Sequence, residues 1–231
     1  MALPTVILPG YLASAKPYQE MEAALEKAGF PAVTVPIRRR DWLPTIGGRS
    51  VISIVRALDA TAQQVMIDHN CNRINLVGHS AGGWIARIYI GESPYDIHPS
   101  DRQRTLPRPA RTHVETLVTL GTPHTSYERW TRKNLDFVNQ QYPGAFYNDI
   151  NYVCVAGKAV VGEKKDWFTF NSYKMTAGDG DVWGDGVVPL SAAHLDGANN
   201  IVMESVLHSP RPGQCWYGSE SVVTQWAQYL A

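Results

Sequence analysis

Short, β-branched apolar runs recur along this chain, and each is parted from the next by residues at helical spacing. Runs at 5–11 (TVILPGY), 32–37 (AVTVPI), 73–79 (RINLVGH), 114–121 (VETLVTLG), 150–157 (INYVCVAG) and 199–207 (NNIVMESVL) read as strands. Between the first two, Met21, Leu25 and Ala28 share one helical face and Gly29 supplies a stop. Residues 49–70 carry apolar side chains at 51, 54, 55, 58, 62, 65 and 66, a long amphipathic helix with Asn70 as its cap. Helices are also expected from Ala81 to about Gly91 and over 219–231, where Val222, Val223, Trp226, Tyr229 and Leu230 lie on one side. Strands that are apolar almost throughout need cover on both faces. The order therefore predicts an α/β chain with a doubly wound, mostly parallel sheet of about six strands, one domain over 1–231.

Three segments break the alternation: 92–113, 124–149 and 162–186. Loops of this length in a compact domain carry function more often than ordinary connections do, so these are candidate lid or pocket segments. Twenty-one basic residues against 21 acidic ones leave no general electrostatic case for nucleic acid. No run of about 18 apolar residues is present to span a membrane. The start MALPTVILPG lacks the charged and long apolar regions of a secretory signal. Cys71, Cys154 and Cys215 form no CxxC spacing, which favours free thiols over a disulfide framework or zinc site. A cytoplasmic location is the expectation, with peripheral membrane contact allowed.

Chemistry concentrates at Gly78-His79-Ser80-Ala81-Gly82, a G-x-S-x-G at the junction of an expected strand and helix. A serine on so sharp a turn adopts strained backbone angles, and bulky neighbours would collide with strand or helix, so Gly78 and Gly82 relieve the crowding. The hydroxyl then projects above the carboxyl end of the sheet. The Ala81 N–H, at the helix start, points at a developing oxyanion.

A serine hydroxyl needs a base, and on such a strand–turn–helix the partners follow in the order Ser, acid, His. His208 lies just past the last expected strand, where a loop reaches back over the sheet; His194 is the alternative, within an expected helix. The acid comes from GDGDVWGDGVVPL, and Asp185, between Gly184 and Gly186, is the candidate. Asp179 and Asp181 begin a D-x-D pattern, but a calcium loop fails because Trp183 and Leu190 occupy ligand positions. Turn chemistry is their expected role. The second oxyanion donor is expected in the loop after the first strand, from the N–H of Tyr11 beside Gly10, with Leu12 as the fallback.

With Gly10-Tyr11, G-H-S-A-G, LGTPH (120–124), GDGVVP and VLHS in this order, the chain resembles the α/β-hydrolase superfamily. Its lipase-like branch in bacteria, cyanobacteria and plant plastids is the nearer likeness. The resemblance implies a trimmed, six-stranded version of that fold, and Pro9-Gly10 stands where His-Gly is frequent. It implies a catalytic triad of Ser80, Asp185 and His208, with Tyr11 and Ala81 as oxyanion donors. The implied reaction is hydrolysis of carboxylic esters, acyl chains on glycerolipids foremost, with no metal or organic cofactor. A short-chain carboxylesterase or an acyltransferase would use the same triad, and a non-catalytic receptor would use the same pocket.

Candidate pocket residues are His79, Trp84, Thr122, His124 and Trp183. Tyr127, Trp130, Trp167, Phe168 and Phe170 are further aromatics in or near the long loops, fit for an acyl groove, a bilayer surface or ordinary packing. Arg102, Arg104, Arg108 and Arg111 face only Asp101 across 101–111, either a headgroup contact or a solvated basic loop. Arg38, Arg39 and Arg40 lie past a strand's carboxyl end, where a charged substrate would bind.

Overall fold

The computed structural model describes residues 2–97 and 110–231. Six parallel strands form the central sheet: β1 (Thr5–Leu8), β2 (Ala32–Thr34), β3 (Ile74–His79), β4 (Val114–Leu120), β5 (Asn151–Lys158) and β6 (Asn199–Glu204). Their order across the sheet is β2-β1-β3-β4-β5-β6. Side chains of β1, β3 and β4 are almost wholly buried, as strands covered on both faces must be.

The helices divide between the two faces. α1 (Gln19–Lys27) and the closing α7 (Glu220–Trp226) pack on one side, where Met21, Leu25, Val222, Val223 and Trp226 meet Ile7, Val77, Val118 and Val153. α2 (Ile52–Asp68), α3 (Ala81–Ile90) and α4 (Arg132–Gln141) cover the other, burying Ile54, Val55, Leu58, Trp84, Ile85 and Leu135 against Val6, Leu8, Leu76 and Leu117. Neighbouring strand residues go to opposite cores, as the two-residue period of a strand requires. α2 stops as expected: His69 ends it, and Asn70 takes a left-handed turn at φ 48°. No helix among the described residues is long and apolar enough to cross a membrane.

Several sequence expectations are corrected. The first two strands end at Leu8 and Thr34, short of 11 and 37. The run 199–207 is not one strand: Ser205, at φ 61°, breaks it after Glu204. Ser205 still donates its N–H to the Lys158 carbonyl (2.8 Å), but the chain then leaves the sheet, and Val206–Leu207 pairs instead with Cys215–Trp216. That break turns His208 inward instead of along the sheet edge. The segment 162–186 contains a helix, α5 (Trp167–Ala177), capped by the Asp166 carboxylate on the Thr169 N–H. The short α6 (Leu190–Ala193) follows it. Of the basic stretch, Arg102, Arg104 and Arg108 lie outside the described residues. Arg111 is held by Asp149 and Glu92 and lies over the Tyr147 ring.

Candidate active site

Strand order turns about β1: β2 lies on one side of it and β3 on the other, so the carboxyl ends of β1 and β3 stand at the switch point where open α/β sheets take their ligands. The register pairs Leu8 with Gly78, which sets the end of β1 beside the elbow. Ser80 takes φ 53°, ψ −125°, a conformation that L-residues pay for with about 1–3 kcal/mol of strain. The ladder holds it there, since its N–H bonds the Leu120 carbonyl at 2.8 Å. A Cβ on Gly82 would stand 2.3 Å from the Leu8 carbonyl oxygen, and one on Gly78 2.5 Å from the Gly83 Cα. No larger residue fits either position without moving backbone.

The Ser80 hydroxyl lies 3.0 Å from His208 Nε2, and His208 Nδ1 lies 2.8 Å from Asp185 Oδ2. An ionised carboxylate only accepts, so Nδ1 carries the proton and Nε2 is left to accept the Ser80 O–H. Asp185 and His208 are 1% and 8% exposed, leaving little water to compete for these bonds. Burial by itself would raise the Asp185 carboxyl. The His208 imidazole and the Val188 and Val187 N–H groups outweigh it and hold the acid below its ordinary range. Those two amides donate to Oδ1 at 2.7 and 2.9 Å, so each carboxylate oxygen is engaged.

Two loops meet at Ser80. A Cβ on Gly10 would lie 3.0 Å from the Ser80 Cβ, which puts the loop after β1 against the serine. Tyr11 and Leu12 form the corner of a turn closed by Ala13 N–H on the Gly10 carbonyl (3.0 Å). Ala81 is the first residue of α3, where an N–H has no carbonyl one turn back within the helix.

Four candidate pocket residues do not line an opening. Trp84 is 1% exposed within the core beside α2, and Thr122 is buried under the elbow, its hydroxyl toward the Gly78 carbonyl. His124 is buried among Arg87, Thr119 and Cys154. His79 is buried too, but against the site: its ring lies 4.8 Å from that of His208. His79 is the last residue of β3 and Trp84 sits on the face of α3 turned to the sheet, while Thr122 and His124 follow β4 beneath the elbow and α3, so each is covered by its neighbours. Trp183 is half exposed on a two-residue strand that pairs antiparallel with Val160–Val161, with the Lys158 ammonium over its ring. His194 ends α6, while His208 holds the serine; Asp179 accepts the Asp181 N–H in an Asx turn.

Two tyrosines went unrecognised in the sequence. Tyr217 takes the Gly157 N–H on its oxygen (2.7 Å) and donates its own proton to Asp185 Oδ2 (2.8 Å). Tyr18 takes the Gly10 N–H (2.8 Å) and donates to His79 Nδ1 (2.7 Å). Each stands just before an unremarkable helix, α1 and α7, and no local motif marks it. In the structure Gly121 takes φ 53°, and a side chain there would meet Asp185 and Tyr217, so the glycine clears the space both occupy; the sequence shows only the glycine, not its neighbours.

Residues 41–165, just over half of the chain, match the family model described as "Putative serine esterase (DUF676)". A search of curated proteins gives no match. Among solved structures, the mature lipase BlEst2 of Bacillus licheniformis is similar with a TM-score of 0.59 at 19% identity, over 90% of this chain and 85% of that one. The phospholipase PlaB of Legionella pneumophila aligns with a TM-score of 0.60 at 14% identity; 98% of this chain corresponds to only 63% of PlaB. A serine hydrolase homologue from Coxiella burnetii gives 0.53 at 14% identity over 99% and 83%. At these identities the likeness speaks for the fold. The chain belongs to the serine esterase family of that model and is a serine ester hydrolase of the α/β-hydrolase superfamily.

Proposed function

We propose that this hydrolase is a lipase acting on acyl chains of glycerolipids through an acyl-enzyme on Ser80. The acyl-enzyme part of the reading is carried by one observation, the continuous line from Ser80 Oγ through the His208 imidazole to the Asp185 carboxylate at 3.0 and 2.8 Å. Ser80 Oγ attacks the ester carbonyl as its proton passes to His208 Nε2. Asp185 keeps the imidazole in the required tautomer and stabilises the imidazolium. The tetrahedral oxyanion rests on the amides of Ala81 and Tyr11. Loss of one such donor costs about 3–4 kcal/mol. His208 then gives its proton to the departing alcohol, and a water activated by the same imidazole releases the acid. No step calls for a metal or organic cofactor.

Lipid as substrate is supported by exposed aromatic surface. Trp167 is 73% exposed and Phe168 61% on α5, and Tyr127 and Trp130 are also exposed on the loop before α4. Tyr127 is tied to α5 through its N–H on the Met175 carbonyl (2.7 Å), which holds the loop against the last turn of the helix whose first turn carries Trp167 and Phe168. Large apolar rings held in water fit insertion at a membrane interface. BlEst2, a lipase, and PlaB, a phospholipase, are similar in fold and agree with this direction.

The test is a series of p-nitrophenyl esters from short to long acyl chains, with and without a dispersed lipid interface. Wild type is compared with Ser80→Ala and His208→Ala. Activity is expected to fall by about 10⁴-fold or more in either variant, with preference for long chains and gain at the interface. Short-chain preference without interfacial gain would make it a carboxylesterase; product carrying the acyl group on an added alcohol would make it an acyltransferase. A folded wild type that takes no fluorophosphonate label at Ser80 would refute catalysis and leave a receptor.

A further inference from the structure

His79 precedes the nucleophile, yet its side chain turns into the protein. Its Nε2 lies 2.9 Å from the His208 backbone carbonyl and its Nδ1 2.7 Å from the Tyr18 hydroxyl, which lies 2.8 Å from the Gly10 amide. The direction of every bond in this line follows from its ends. A carbonyl only accepts, so Nε2 carries the proton and Nδ1 accepts; Tyr18 therefore donates to His79, and its oxygen receives the Gly10 N–H. One line of three hydrogen bonds thus joins the backbone of the loop after β1 to the backbone of the residue that holds Ser80. Gly10 itself abuts the Ser80 Cβ, so the line closes around the serine.

The line is also shielded. Tyr18 is 2% and His79 5% exposed, and the His79 ring is packed by Trp216 at 5.9 Å, Tyr217 at 5.7 Å and His208 at 4.8 Å between centroids. In such surroundings the bonds are not exchanged for water, and a missing partner leaves the next group stranded. An aliphatic residue at 79 would fill the space without either bond. A flat ring that accepts on one edge and donates on the other suits a seat between a hydroxyl and a carbonyl.

We propose that Tyr18 and His79 are positioning residues for the ester hydrolysis, holding the loop of Gly10 and Tyr11 and the base His208 in one register about the Ser80 hydroxyl. The proposal rests on the reading of Ser80 as nucleophile and His208 as base. Burial, then the neighbouring His208, lowers the His79 imidazole to about 3, so it stays neutral and keeps its acceptor edge toward Tyr18. Misplacement of a reacting group by 1 Å costs about 100-fold in rate.

The test measures kcat and KM on one p-nitrophenyl ester for wild type, Tyr18→Phe, His79→Gln, His79→Phe and the Tyr18→Phe/His79→Phe pair, with kcat counted per folded active site by fluorophosphonate titration. Ser80→Ala is the reference. Tyr18→Phe is expected to lower kcat about 10-fold and His79→Phe about 100-fold, with KM within about 2-fold. His79→Gln, whose amide keeps a donor for the carbonyl and an acceptor for Tyr18, is expected to recover most of the loss. The pair is expected to be no slower than His79→Phe alone, because both changes cut one line. Wild-type kcat per site in Tyr18→Phe and His79→Phe, even with a lowered Tm, would overturn the proposal, as would losses that multiply in the pair. Should His79→Phe fail to fold, Tyr18→Phe, which removes a single oxygen, and His79→Gln decide alone. Activity surviving in Ser80→Ala would instead defeat the triad reading itself.

Discussion

Acid should unfold this protein along a slope set by its buried histidines. His79 is neutral in the folded chain down to a pH of about 3, held there by burial and by His208, whereas its ordinary value is 6.5. Between those values the unfolded chain binds a proton that the folded one refuses. Stability therefore falls as pH drops, by about 1.4 kcal/mol per pH unit for one such group. From pH 6.5 to 4 that is about 3 kcal/mol for His79. His124 is likewise pushed well below 6.5 by burial and by the adjacent Arg87, so it doubles the slope over the range where both stay neutral. Asp185 adds nothing there: its carboxyl is lowered, so its contribution is complete above the ordinary 3.8 and fades only at lower pH. The loss of about 3 kcal/mol at pH 4 from His79 alone is already a large part of the whole stability of a typical domain, and His124 adds to it in the same direction. Urea unfolding at half-unit steps from pH 7.5 to 4.5, with m held common, measures the slope. His79→Gln, which cannot titrate, should remove about half of it. A slope below about 0.5 kcal/mol per unit, or one unchanged in His79→Gln, would refute the neutral, buried state of this ring.

Asp185→Asn keeps the shape of the acid but offers His208 Nδ1 no charged acceptor, so the imidazole is released to the wrong tautomer; kcat should drop by about 10⁴-fold with the fold intact by circular dichroism. Tyr217→Phe leaves the Gly157 amide unpaired and takes one donor from Asp185, and urea titration should show a loss of about 1–3 kcal/mol. Gly82→Ala forces a methyl to 2.3 Å from the Leu8 carbonyl and should cost at least about 1–3 kcal/mol of stability. Gly29→Ala is the control, with no atom within 4 Å of the new methyl and only its φ of 94° against it, and should cost about 1 kcal/mol.

The hydrogen-bonded line of Ser80, His208 and Asp185 was legible in the sequence and most of its surroundings were not, for a physical reason. Ser80 sits in a local motif whose glycines answer to backbone crowding within five residues, and crowding of that kind leaves a mark in sequence. His208 and Asp185 could be placed because a parallel sheet brings every strand's carboxyl end to one edge, and each follows a readable strand. Tyr18 and Tyr217 act through hydrogen bonds to residues 61 and 32 positions away, and nothing near either of them encodes the partner. The candidate pocket failed on the same ground. Trp84 follows the elbow along the chain, and Thr122 and His124 follow the carboxyl end of β4, but whether such a side chain faces a cleft or a core depends on what packs over it. Here α2, α4 and the buried Arg87 do. The strand over 199–207 was misjudged at Ser205, a residue whose left-handed turn no glycine or proline announces.

Polar satisfaction is distributed unevenly through this core, and the pattern bears on rate. Among the described residues, the buried side-chain atoms without partners are Thr5 Oγ1, Thr34 Oγ1, Arg73 Nε, Trp84 Nε1 and His194 Nε2. None belongs to Tyr18, His79, Asp185, His208 or Tyr217, which are all buried and all matched donor to acceptor. Leaving an isolated hydroxyl or ring nitrogen unpaired costs stability only. Within the matched group the same fault would also move His208 or Asp185 relative to Ser80, because each member's orientation is fixed by its neighbour's. Hydrogen bonds in such a chain polarise one another, so removing an outer member weakens bonds it does not itself make. A preorganised site gains its rate from dipoles that need not reorient when charge develops. Changes at Tyr18 or Tyr217, neither of which touches the ester, should therefore register in kcat out of proportion to one lost hydrogen bond, whereas Thr5→Val, equally buried, should leave kcat unmoved.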